Sequence, residues 1–174
     1  LILNLDYPLG LAAGHLILEA GKRLKNWKGL FVLSKSAAMI GRLGDILIPS
    51  QVLDAHTQSL FSFRNCLGPR QIAPFLEDIA VFGDQRTFTT HGTFLHGWKT
   101  VKTHIKNDFT GIEMEAGPIM ASLYRIFHGR APAEDRSLKV RMPPEFSFGM
   151  LHYTSDTPYN VRASLLSQCL GLKG

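Results

Sequence analysis

Apolar and polar positions alternate in short blocks along most of the chain, and the blocks switch period in a regular order. Leu1 to Leu5 reads as a short apolar strand. The Pro and Gly of Asp6-Tyr7-Pro8-Leu9-Gly10 then mark a turn. Ala12, Leu16, Ala20 and Leu24 recur at i+4, widened by Ala13 and Ile17, which predicts an amphipathic helix. Its Lys-rich end suits a helix C-terminus. Gly29 releases the chain into Leu30-Phe31-Val32-Leu33, a second apolar strand. Strand, helix, strand predicts a parallel pair with a right-handed crossover.

Beyond that unit, Ser34-Lys35-Ser36-Ala37-Ala38 reads as a small-residue loop, and Gly44-Asp45-Ile46-Leu47-Ile48-Pro49 as a turn entering a strand. Val52 to Arg70 is polar and aromatic and predicts a loop or an edge strand. Asp54 and His56 there suggest a metal pair, but no third ligand follows at a recognised spacing. Phe75 to Val81 is a short element and Arg86 to Thr90 a strand. His91 to Gly97 is a Gly-bounded loop, and Trp98 to Asn107 a basic helix.

The stretch Gly111-Ile112-Glu113-Met114-Glu115-Ala116-Gly117-Pro118 stands out because two acids flank one methionine. A strand ending at Met114 would turn Glu113 and Glu115 to one face. Alternatively, the chain turns at Glu115 and starts a helix. Either way the acids lie where a strand meets a helix, the end of an open α/β sheet at which ligands bind. They could equally be solvated acids favoured by a helix dipole.

An apolar stripe at Ile119, Met120, Leu123, Ile126 and Phe127 predicts a core helix that ends at Gly129. Arg130 to Phe146 is charged, holds three prolines and reads as a surface excursion. Gly149 to Tyr153 is a strand. Thr157 as N-cap and Pro158 at the first helical position then predict a last helix, with Val161, Leu165, Leu166, Cys169 and Leu170 on its buried face.

Composition narrows the class. The chain has 174 residues, 45% hydrophobic and 19% charged, enough for one domain with a real core. It holds no apolar run long enough for a membrane span. Two widely spaced cysteines, Cys66 and Cys169, define neither a disulfide framework nor a metal site and fit an intracellular, cytoplasmic setting. The net charge is +5, with clusters at Lys22, Arg23, Lys25, Lys28 and at Lys99, Lys102, Lys106. Base-reading motifs are absent, so these read as solvated helix faces rather than a nucleic-acid surface. Lys35 among small residues suits an anion site, or a tight turn with an exposed lysine.

Three segments, in order, resemble the nucleoside phosphorylase and nucleosidase superfamily. Gly44-Asp45-Ile46-Leu47-Ile48-Pro49 is similar to its G-D-I-V-I-P strand, Glu113-Met114-Glu115-Ala116 to its V-E-M-E-A signature, and Ser155-Asp156 to its V-S-D segment. The likeness runs from about Leu1 to Leu170 and implies a three-layer α/β/α sandwich with a mixed central sheet. It implies that Met114 and Glu115 hold a ribose, with Glu113, Phe94 and Ser155 also lining the substrate site. Asp156 would be the acid that protonates a purine leaving group. Ser34, Lys35 and Ser36 would form the phosphate site.

Two departures qualify that likeness. The resemblance implies a single domain, 1–174, that is N-terminally incomplete: Leu1 to Glu19 resembles a later strand and helix, so the superfamily's first strand, with its phosphate-binding loop, would lie upstream. The loop after Leu33 also lacks the expected glycines and the nearby arginine. Phosphate as co-substrate therefore stands beside water as nucleophile, and no other cofactor is implied. The expected activity is cleavage of a ribosyl N-glycosidic bond. The competing expectation is a catalytically idle relative serving as a structural subunit. Expected partners are a nucleoside, phosphate and further subunits, in a homo-oligomer or a larger complex, with no membrane.

Overall fold

The computed structural model describes residues 2–6, 8–92, 96–158 and 160–164, the last five by their backbone. In chain order the elements are α1 (Leu11–Arg23), β1 (Gly29–Ala38), β2 (Ile46–Asp54), β3 (Ser59–Phe63), the short α2 (Pro69–Ile72), β4 (Val81–Thr89), α3 (Trp98–Lys106), β5 (Phe109–Glu113), α4 (Ala116–His128), β6 (Ser137–Val140), β7 (Ser147–Thr157) and β8 (Asn160–Ser164). The strands make one mixed sheet in the order β6-β3-β2-β4-β5-β1-β7-β8.

A further pairing of β2 with β7 curls the middle of the sheet into a closed five-strand ring, β2-β4-β5-β1-β7 and back to β2. Pairs β2–β4, β4–β5 and β1–β7 are parallel, whereas β5–β1 and β7–β2 are antiparallel. Closure removes most free backbone edges. The three-layer α/β/α reading with a mixed sheet holds: α1 and α4 pack on one side over Val52, Phe61, Phe148 and Met150. On the other side α3 packs through Val101 and Ile105 over Phe109 and Ile112.

Helices α1 and α4 meet closely. A Cβ at Gly14 would lie 2.7 Å from the Pro118 carbonyl oxygen, so glycine is what permits this approach. At the same crossing the Ser122 hydroxyl donates to the Gly14 carbonyl at 2.8 Å. The buried face of α1 is therefore Ala13, Gly14 and Ile17, while Leu16 and Leu24 are exposed. The predicted face was rotated because the crossing selects the small residues.

Several sequence expectations are corrected. Residues 2–6 form no strand, and Ile2 is 94% exposed, so the predicted strand–helix–strand crossover is absent. Ser34 to Ala38 is not a loop: β1 runs on through it because β7 pairs with every position from Gly29 to Ala37. Asp54 ends β2 and Ser59–Phe63 returns as β3, a hairpin where a loop or edge was expected. The prolines of the 130–146 excursion bracket a short strand, β6, which pairs with β3.

Asp156 and Thr157 still belong to β7, and residues 160–164 pair back on it as β8, so no helix starts at Pro158. The pairing available from Ala37 and Ser164 overrides the capping pattern. The remainder of that expected helix, with Leu165, Leu166, Cys169 and Leu170, lies outside the described residues. No described helix is long and apolar enough to cross a membrane.

Candidate functional site

The acidic stretch resolves as strand, then turn, then helix. Glu113 is the last residue of β5, Glu115 is the N-cap position of α4, and α4 begins at Ala116. The buried Glu113 carboxylate accepts the backbone N–H groups of Glu115 at 2.6 Å and Ala116 at 2.5 Å. Its other oxygen meets the Thr89 hydroxyl, which in turn accepts the Gly117 N–H at 2.8 Å. Glu113 and Thr89 thus satisfy the orphan donors that any helix N-terminus leaves. Burial outweighs these hydrogen bonds and pushes the Glu113 carboxyl up to about 7.

Glu115 points the other way. Its carboxylate accepts the Gly10 N–H at 2.9 Å, which ties the turn before α1 to the start of α4. Met114 lies at the same turn, its Cε 3.7 Å from the position a Cβ would take at Gly10.

Glu115 lines a cavity of about 320 Å³ together with Ser34, Lys35, Asp6, Tyr153 and the stretch Leu30–Leu33. The antiparallel register explains the meeting. Ala37 faces Ile112, so residues beyond Ile112 run back along β1 toward Ser34. Two segments that the sequence nominated for different jobs, 34–35 and 115, therefore share one wall.

The remaining nominees are placed as follows. Ser36 is buried and its hydroxyl donates to the Ile112 carbonyl at 3.2 Å, so it holds β1 to β5. Ala37 pairs with Asp156 on its other side, which sets Asp156 and Ile112 on the two strands that flank β1. Asp156 is half-buried and accepts the Ser155 hydroxyl at 3.2 Å. Neither residue lines the cavity, which stops at Tyr153 on β7. Phe94 lies outside the described residues.

Sequence reasoning missed four contributors. Asp6 and Gly10 were read only as turn residues, and a turn pattern carries no sign of what its N–H groups will meet. Tyr153 was one strand residue among several. Thr89 sits in an Arg-Thr-Phe-Thr-Thr strand whose alternation does not say which threonine reaches Glu113.

Among solved structures, the chain is similar to the 5'-methylthioadenosine/S-adenosylhomocysteine nucleosidase of Neisseria meningitidis in complex with methylthio-immucillin-A. That match has 14% identity and a TM-score of 0.61, and it covers 92% of this chain and 69% of that one. It is likewise similar to the corresponding Colwellia psychrerythraea 34H enzyme in complex with adenine, with 13% identity, a TM-score of 0.62, and coverage of 86% and 62%. The Arabidopsis thaliana 5'-methylthioadenosine nucleosidase in apo form gives 12% identity, a TM-score of 0.60, and coverage of 98% and 64%. The chain thus spans 62 to 69% of the length of these structures. It shares the fold of these nucleosidase structures, in line with the fold that the resemblance implied. No curated protein sequence matches the chain. A family model does match, over residues 1–174: the chain belongs to the family of unknown function DUF6909.

Proposed function

We propose that this chain cleaves the ribosyl N-glycosidic bond of a purine nucleoside. The observation that carries the reading is the shared cavity wall of Glu115, Ser34 and Lys35, with Met114 packed beside it at Gly10. Glu115 would accept hydrogen bonds from the ribose hydroxyls and orient the sugar. Lys35 would supply positive charge to an anion, as a point charge rather than a fork.

In the reaction the bond from C1' to the base nitrogen breaks and its electron pair leaves with the base. The base then takes a proton, and water or phosphate bonds to C1'. Asp156 is the proposed proton donor. It stands three positions beyond Tyr153 on β7, ~10 Å along an extended strand. Developing negative charge on the base is neutralised by such an acid. Similarity to purine nucleosidases supports this reading over pyrimidine substrates.

The test is release of free base from a panel of purine nucleosides, 5'-methylthioadenosine included, with and without phosphate. Dependence on phosphate assigns a phosphorylase, and independence a nucleosidase. Asp156→Asn should bind nucleoside but slow cleavage by ~100-fold or more. Glu115→Gln should weaken nucleoside binding at calorimetry. Equal turnover in wild type and Asp156→Asn would remove the acid role, and unchanged affinity in Glu115→Gln would remove the ribose role.

One feature favours a second reading, a structural or interaction subunit without turnover. Phe31 and Leu33, on one face of β1 and at the wall of the cavity, are 58% and 75% exposed, an apolar surface open to a partner. Absence of turnover across the panel, together with self-association or a stable complex, would select it.

A further inference from the structure

Glu115 holds the N-cap position of α4, yet its side chain makes no capping hydrogen bond. An N-cap side chain ordinarily accepts the N–H of the second or third helical residue. Here the second is Gly117, whose N–H donates to the Thr89 hydroxyl at 2.8 Å. The third is Pro118, which has no N–H to offer. The N–H groups of Glu115 and Ala116 both go to one oxygen of Glu113. The Ile119 N–H goes to the Glu115 carbonyl at 3.0 Å. Every donor of the first turn is therefore taken before the Glu115 side chain is reached.

Both substitute caps stand on the sheet. Thr89 and Glu113 are register partners across β4 and β5, and Thr89 pairs with Asp54 of β2 on its other side. The Thr89 carbonyl accepts the Ala55 N–H at 3.0 Å, and the Glu113 carbonyl accepts the Thr90 N–H at 2.8 Å. Both side chains are buried, and the Thr89 hydroxyl donates to the Glu113 carboxylate. The start of α4 has no room to shift toward β2, because a Cβ at Gly117 would fall 2.6 Å from Asp54 Oδ1. Glu115 is left to turn outward. Its Oε1 accepts the Gly10 N–H at 2.9 Å, its Oε2 the Met114 N–H at 3.4 Å, and it lines the cavity with Lys35.

We propose that Thr89 and Glu113 are positioning residues: by capping α4 in place of Glu115, they hold the Glu115 carboxylate at the cavity wall. That this carboxylate then meets a ribose rests on the function proposed above; that it faces the cavity does not. Neither Thr89 nor Glu113 lines the cavity, so their influence on it passes through Glu115. Thr89 is the decisive member. Its hydroxyl accepts from Gly117 and donates to Glu113, so valine in its place removes two hydrogen bonds at nearly constant volume. The freed Gly117 N–H is then the donor that an N-cap side chain takes. Glu115 turns inward to cap it and gives up both Gly10 and the cavity.

The experiment reads the position of Glu115 without any ligand. Amide hydrogen exchange of the isotope-labelled full chain, followed by NMR, reports the Gly10 N–H that Glu115 accepts. The Ala13 N–H, bonded to the Gly10 carbonyl, is the internal reference, since general loosening of the fold speeds both amides alike. In Thr89→Val the Gly10 amide should exchange about tenfold or more faster relative to Ala13. Thr89→Ser, which restores the hydroxyl, should return the ratio to that of the wild type. Adenosine affinity at calorimetry should fall and recover in the same order. If Thr89→Val does not fold, Thr89→Cys makes the same comparison with a weak acceptor of similar size. An unchanged ratio in the variant, or faster exchange that Thr89→Ser does not reverse, would overturn the positioning role. A wild type that binds no adenosine, with the exchange pattern as expected, ends the ribose reading alone and leaves the positioning role supported.

Discussion

Replacing Glu113 by glutamine tests the physics at the start of α4. In the folded chain the Glu113 carboxyl is raised from its ordinary 4.5 to about 7, burial being the first cause. A carboxyl that holds its proton more tightly when folded stabilises the fold below the unfolded value. That contribution is lost as pH rises through the folded one. At 1.36 kcal/mol per pH unit, the loss between pH 4.5 and 7 comes to about 3 kcal/mol. Glutamine imitates the protonated form. Its amide N–H can donate to Thr89 Oγ1, while its oxygen still accepts from the Glu115 and Ala116 N–H groups.

Wild type and Glu113→Gln should therefore be nearly equal in stability at pH 4.5. The variant should gain on the wild type as pH rises, until it leads by up to about 3 kcal/mol above pH 7. Urea unfolding midpoints, followed by circular dichroism at half-unit steps of pH, give the difference directly. Comparing the two proteins matters because other groups titrate alongside and cancel. Parallel stability curves would refute the argument. A wild type that gains on the variant with rising pH would reverse it, showing that the donors on the carboxylate outweigh burial.

The other predictions concern separate parts of the molecule. His152 is fully buried with both ring nitrogens unpartnered, and burial pulls it down from 6.5 to about 4, so its stabilising contribution is present above 6.5 and lost as pH falls through 4. His152→Leu should gain on the wild type by up to about 3 kcal/mol between pH 6.5 and 4 in the same unfolding assay. Gly14→Ala forces a methyl against the Pro118 carbonyl and should cost about 1 to 3 kcal/mol, read as a lower thermal midpoint with unchanged far-ultraviolet spectrum. If Lys35 takes an anion in the cavity, phosphate should raise the melting temperature of the wild type by mass action, and Lys35→Ala should lose most of that shift.

The parts legible in the sequence were those whose cause is local. Helix α4 announces itself by its stripe and its glycine stop, α3 by its basic face, and β2 by an apolar run behind a turn. The E-M-E-A and G-D-I-L-I-P segments also pointed to the fold, through the resemblance they carry. What failed depends on partners far away. Ser34 to Ala38 looks like a loop until β7 is there to pair with it, and the Ser-Asp-Thr-Pro capping pattern yields to strand pairing at Asp156 and Thr157. Leu1 to Leu5 has strand composition, but residues 2–6 pair with no strand among the described residues. For the same reason the Gly10 donor to Glu115 was out of reach, since it does not follow from spacing along the chain.

The ring of five strands has a consequence for how the chain reaches its native state. Its closing member, β7, must find β1 and β2, which lie far before it in the sequence, so closure waits until the whole span between them is available. Pairings across such a span are entropically late, because the intervening chain must be gathered first. During synthesis the β2–β3 hairpin can form early, and α4 can follow over β5. Until β7 arrives, the apolar inner faces of β1 and β2 have no closing strand. Folding should then end in one slow, cooperative phase in which near-ultraviolet signals from buried Phe148 and Tyr124 appear together, with no earlier plateau.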